Sequence, residues 1–137
     1  MDEDKKKVRI LAVEDDRACM KLLSILLEDH GFTYDTAING LEAWEKIQRD
    51  DYDLIISDWN MPLMDGNQLL RKVREYVKTQ STPFLMLTGR ADVGSITSAV
   101  KVGVTDYIIK PYDERTIVRK IEKLLKKPSP QSDSSLM

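Results

Sequence analysis

With 137 residues, 42% apolar and 32% charged, the chain has the material for one soluble domain with a substantial core, and no second folded domain fits. Lys plus Arg number 21 against 23 Asp plus Glu, so the net charge of −2 recruits no nucleic acid, and the scattered aromatics make no stacking platform. The apolar runs are far too short to span a membrane, no signal peptide opens the chain, and one cysteine excludes an internal disulfide, so a cytoplasmic protein is expected.

Met1 to Lys7 is charged and poor in apolar residues, and reads as a flexible arm. Val8 to Val13 is a buried strand that ends in three acids, Glu14, Asp15 and Asp16. Asp16 can cap the helix Arg17 to His30, where Met20, Leu22, Leu23, Ile25, Leu26 and Leu27 recur at helical spacing before Gly31. Cys19 on that apolar face reads as buried filler, and His30 in the last turn as a cap or surface residue. Phe32 to Ala37 is a more polar strand, nearer the sheet edge. Asn39 and Gly40 then turn the chain into a helix, Leu41 to Arg49, with Ala43, Trp44 and Ile47 towards the sheet.

Leu54, Ile55 and Ile56 are too few for a buried helix and too apolar for an edge, so they form a central strand, which ends at Asp58. Pro62 and Gly66 punctuate a loop before a helix from about Asn67 to Lys78, with Leu69, Leu70, Val73 and Val77 inward. Pro83 to Leu87 is the fourth strand, followed by Thr88-Gly89. The helix Asp92 to Val102 is weakly specified by Gly94, Ser95, Thr97 and Ser98, with Val93, Ile96, Val100 and Ala99 inward, and is the most deformable of the chain. Thr105 to Ile109 is the fifth strand and ends at Lys110-Pro111. Ile117, Ile121, Leu124 and Leu125 define a last helix to about Lys126. Residues 127–137, rich in serine and proline, read as a disordered tail or the start of a linker, which leaves 8–126 as the folded domain.

Five alternations of strand and helix build a parallel sheet between two helical layers, a doubly wound (βα)5 fold with every strand's C-terminal end on one rim. That rim collects Glu14, Asp15, Asp58, Thr88 and Lys110. At about 4 Å and an effective dielectric of about 20, each carboxylate pair repels by roughly 4 kcal/mol, so a hard divalent cation is the natural occupant. Mg2+ suits such a site, with Mn2+ as a substitute, and the absence of His and Cys argues against zinc. A metal-free salt-bridge cluster is the alternative. Lys110 and Thr88 can receive a phosphoryl group, and Asp58 can accept one as an acyl phosphate by in-line attack.

The motifs Val13-Glu14-Asp15, Ser57-Asp58-Trp59-Asn60-Met61-Pro62-Leu63-Met64-Asp65-Gly66, Leu87-Thr88-Gly89 and Tyr107-Ile108-Ile109-Lys110-Pro111-Tyr112 follow in this order at successive strand ends. Over residues 8 to 126 the chain resembles the receiver domains of two-component response regulators, and its acceptor loop resembles that of the chemotaxis response regulator. The resemblance implies a flavodoxin-like fold with Asp58 as phosphoacceptor. It further implies Mg2+ on Asp15, Asp58 and the backbone carbonyl of Asn60, with Glu14 acting through water. Thr88 and Lys110 would bind the phosphoryl group, Pro111 would follow a cis bond, and Tyr107 would turn inward on activation. Asn60 and Arg90 would line the access route. The face made by helix 92–102, strand 105–109 and helix 113–126 would change shape. The implied donor is a sensor histidine kinase or histidine phosphotransfer protein, and the implied receiver of the signal is a downstream protein or an attached output domain.

Two other functions compete. A phosphohydrolase using an aspartyl phosphate wants an acid/base Asp two residues after the nucleophile, where this chain has Asn60, which transfers no proton. A receiver-like interaction module without phosphorylation would tolerate loss of the acidic pair, Asp58, Thr88 or Lys110, and all are present. The expectation is a switch whose only chemistry is its own phosphorylation and dephosphorylation, not a turnover enzyme.

Overall fold

Every residue of β3 (Leu54–Asp58) is buried, as a strand covered on both faces requires. In the computed structural model it is the middle strand of a five-stranded parallel sheet of order β2-β1-β3-β4-β5. The other strands are β1 (Arg9–Val13), β2 (Thr33–Ala37), β4 (Phe84–Thr88) and β5 (Asp106–Ile109). The structure describes residues 8–89 and 93–126; the arm 1–7, Arg90 and the tail 127–137 read from the sequence lie outside them.

Helices α1 (Arg17–Asp29), α2 (Gly40–Arg49), α3 (Gly66–Glu75), α4 (Val93–Val102) and α5 (Glu114–Leu125) fill the connections. Because strand side chains alternate in direction, β1 and β3 each feed two cores. Leu11, Val13, Ile55, Phe84 and Met86 pack with Ala43 and Ile47 of α2, Leu69, Leu70 and Val73 of α3, and Ala99 of α4. Ile10, Ala12, Leu54, Ile56, Leu85 and Leu87 pack on the opposite face with Leu23, Leu26 and Leu27 of α1 and Ile117, Val118 and Ile121 of α5. Each fully buried aliphatic side chain contributes roughly 1.5–3 kcal/mol. The expected flavodoxin-like (βα)5 architecture is therefore the observed one.

Four helices begin in the same way, with the residue after a rim loop accepting a backbone N–H three positions on. The pairs are Asp16 with Cys19 (2.9 Å), Asn39 with Glu42 (2.8 Å), Asp65 with Gln68 (2.8 Å) and Asp113 with Thr116 (2.8 Å). Such a cap contributes about 1 kcal/mol and fixes where the loop ends. His30 is the C-terminal cap of α1, and its Nε2 meets Glu114 Oε2 at 2.8 Å on the surface.

Several finer expectations are corrected. Helix α3 stops at Glu75, Tyr76 is extended, and Val77–Thr79 is a separate 3-10 turn, so Val77 is exposed and not on an inner stripe. The Thr79 hydroxyl donates to the Val73 carbonyl at 2.7 Å and holds the chain in that early exit. On α4, Ala99 is buried while Val100 is exposed, so the inward stripe runs through Ala99 alone of the pair. Leu22 and Ile25 of α1 are also exposed, because the helix carries more apolar faces than the sheet can cover. Cys19 is half-buried and no core filler.

Candidate functional site

Between β1 and β3 the strand order reverses, and an open α/β sheet forms its crevice beyond the strand C-termini at that point. Glu14 follows β1 directly, and its N–H donates to the Ala37 carbonyl at 3.0 Å, which extends the sheet by one residue. Asp58 is the last residue of β3. The side chains of Glu14 and Asp58 are buried, whereas Asp15 is exposed. Carboxylate oxygens of the three lie within 4.8 Å of one another.

Lys110 reaches this cluster from the end of β5. Its N–H donates to the Thr88 carbonyl at 2.7 Å, and the Lys110–Pro111 bond is cis. Its Nζ lies 3.0 Å from Glu14 Oε1 and 3.2 Å from Asp58 Oδ1. Three carboxylates and one ammonium leave the cluster with a formal charge of −2. Burial raises the Glu14 and Asp58 carboxyls above their ordinary range, with Lys110 opposing. Burial works the other way on Lys110, but the two carboxylates outweigh it and hold the ammonium firmly protonated.

The remaining residues singled out by the sequence surround this group. Thr88 ends β4, next to β3, and is buried. Asn60 is exposed in the loop two residues after Asp58. Tyr107 is half-buried, and with Trp59, Met86, Thr88, Ile96 and Ala99 it borders a cavity of about 10 Å³, roughly the room of one water. Beside Lys110, a cleft of about 630 Å³ runs between α1 and the β5–α5 turn, lined by Cys19, Leu22, Leu26, Pro111 and Tyr112 among others.

Two residues have roles that the sequence reading did not assign. Ser57 is fully buried, and its hydroxyl donates to the Asp58 carbonyl at 2.9 Å. Gly66 donates its N–H to the Trp59 carbonyl at 2.8 Å, and a Cβ there would run into the Asp58 carbonyl oxygen. Ser57 had no signal beyond its place beside Asp58. The Asp65-Gly66 pair signalled a turn but not this close approach.

Residues 10–122 match the model of the response regulator receiver domain. The chain belongs to this family. A receiver domain is a phosphorylation-controlled switch of two-component signalling, confined to taking up and losing its own phosphoryl group, and it turns over no external substrate. Chemotaxis protein CheY-3 of Vibrio cholerae is 34% identical over 89% of this chain and 95% of its own. The phosphate regulon transcriptional regulatory protein PhoB of Rhizobium meliloti is 33% identical over 94% of this chain, which spans only 57% of that protein. Among solved structures, that of Vibrio cholerae chemotaxis protein CheY4 superposes with a TM-score of 0.83 at 33% identity, covering 88% of this chain and all of the other. As in the family, the receiver carries an acidic cluster able to chelate a metal ion, and no helix among its described residues is long and apolar enough to cross a membrane.

Proposed function

We propose that the receiver, over residues 8–126, takes a phosphoryl group onto Asp58 from a sensor histidine kinase or a histidine phosphotransfer protein. The observation that carries this reading is the convergence of the buried Asp58 and Glu14 with the exposed Asp15 and the Lys110 ammonium in one cluster. An all-oxygen donor set with a formal charge of −2 suits a hard dication, and no His or Cys belongs to it. Asp15, Asp58 and the Asn60 backbone carbonyl would hold Mg2+, or Mn2+ in its place, with Glu14 acting through water. When bound, the ion neutralises charge on the phosphoryl oxygens.

An Asp58 carboxylate oxygen attacks phosphorus in line as the bond to the donor breaks on the far side. Lys110 exchanges its Asp58 contact for a phosphoryl oxygen, and the Thr88 hydroxyl donates to another. Attack by water along the same line removes the group. The cleft beside Lys110, with exposed Leu22 and Ile25 at its α1 wall, gives a donor protein an approach from that side.

Movement of Thr88 towards the phosphoryl group frees room in the cavity it shares with Tyr107, and the ring turns into it. The face of α4, β5 and α5 then changes shape for a downstream protein or an attached output domain, in the cytoplasm. Asn60 and Arg90 tune access to the phosphoryl group. Incubation with Mg2+ and acetyl phosphate, followed by intact mass, tests the core of this reading. One added phosphoryl group is expected on the wild type and none on Asp58→Asn; equal labelling of both sinks it.

A further inference from the structure

On the rim opposite the carboxylates, one half-buried arginine of α3 ties together three separate segments. Arg74 Nε donates to the Gly103 carbonyl at 2.8 Å, at the turn that closes α4. Its Nη1 reaches the carbonyls of Thr79 (3.3 Å), Gln80 (3.2 Å) and Thr82 (2.7 Å) in the connection that leads into β4. Its Nη2 donates to the Thr105 hydroxyl at 3.2 Å, and that same oxygen accepts the Phe84 N–H at 2.9 Å. Among the described residues no carboxylate pairs with it. A cation spent on neutral backbone acceptors, in a planar fork that fits several at once, is placed for position and not for charge balance.

The three segments matter because of what lies at their other ends. Strand β4 starts beside this clamp and finishes at Thr88. Strand β5 starts beside it and carries Tyr107 before ending at Lys110. Helix α4 finishes there, at Val102, and the next residue, Gly103, at a φ of +112, accepts from the arginine through its carbonyl. The rest of α4 is held less firmly by its own sequence, since Gly94, Ser95, Thr97 and Ser98 contribute little helix propensity.

We propose that Arg74 is the fixed point of the switch, a positioning residue that pins the far ends of β4, α4 and β5 to one another. A rearrangement at Thr88 is then delivered to Tyr107 and the first turns of α4, and is not lost as sliding of the whole helix. The proposal rests on the phosphorylation-switch reading above. It assigns Arg74 no part in metal binding or phosphoryl transfer, because the clamp and the carboxylate cluster occupy opposite rims.

The test uses the full chain labelled with 3-fluorotyrosine, with the Tyr107 resonance assigned through Tyr107→Phe. Wild type, Arg74→Met and the milder Thr105→Val are titrated with acetyl phosphate and Mg2+. All three should bind Mg2+ and take up one phosphoryl group alike by intact mass. The phosphorylation-dependent shift of Tyr107 should fall to about half or less in Arg74→Met and to an intermediate value in Thr105→Val. Amide exchange in α4 of the unphosphorylated Arg74→Met protein should rise about tenfold. A full wild-type shift in Arg74→Met overturns the proposal; if that variant does not fold, a full shift in Thr105→Val does so. A wild type that takes up the group without any change at Tyr107 overturns the switch reading and this inference with it.

Discussion

Glu14 and Asp58 share a single ammonium, and burial raises both carboxyls despite it. A carboxyl whose folded value lies above its unfolded one binds its proton more tightly in the native state. The stability it brings is complete below the unfolded value and is lost as pH rises through the folded one. At neutral pH, without metal, ionised Asp58 therefore works against the fold. Like charges at about 4 Å repel by roughly 4 kcal/mol, and Lys110 offsets most of that. In a chelating buffer near pH 7, Asp58→Asn should be more stable than wild type by on the order of 1 kcal/mol. The gap should narrow as pH falls through the raised titration of wild-type Asp58, where the carboxyl acquires its own proton. Urea titrations across this range measure it, and a variant less stable than wild type at neutral pH contradicts the argument.

At the start of α3, Gly66 lets the helix begin directly against the strand that bears Asp58. A Cβ there meets backbone, the Asp58 carbonyl oxygen and the Trp59 Cα, which cannot yield as a flexible side chain would. Gly66→Ala should cost about 1–3 kcal/mol by thermal unfolding and should also weaken Mg2+ binding, because the displaced atoms belong to the acceptor loop. An alanine variant with unchanged melting and metal affinity would show that the loop relaxes freely. Elements of this kind were only partly legible in the sequence. The apolar runs of β1 and β3, the cap at Asp16, and the strand-end acids follow from local pattern, so they were readable. The exit of the chain after Glu75 was not, because the Thr79 hydroxyl and the Arg74 guanidinium settle it through hydrogen bonds to nearby backbone carbonyls, which leave no mark in the apolar periodicity. Nor could periodicity separate Ala99 from Val100 on α4, where apolar residues stand on more than one face. Arg74 itself looked like any charge on a helix surface, because its partners are backbone carbonyls that no side-chain pattern reports.

For the whole molecule, the order β2-β1-β3-β4-β5 brings acids from two adjacent strands and a lysine from the edge strand to one rim. Among the described residues the cluster thus keeps a formal charge of −2, and the cost is spread over packing made elsewhere in both cores. A ligand that binds only the folded state returns stability as RT ln(1 + [L]/Kd), about 2.7 kcal/mol at one hundred times Kd. Mg2+ should therefore raise the melting temperature of the wild type progressively and leave Asp58→Asn, which lacks one of the ligands, much less affected. Since the variant starts ahead by on the order of 1 kcal/mol, the two curves should cross when Mg2+ reaches about four to five times the wild-type Kd. Thermal melts over a Mg2+ series, with Ca2+-free buffers and matched ionic strength, locate the crossing. Parallel curves would mean that the ion does not use Asp58, and a wild type insensitive to Mg2+ would mean that the acidic rim is balanced by protein groups alone.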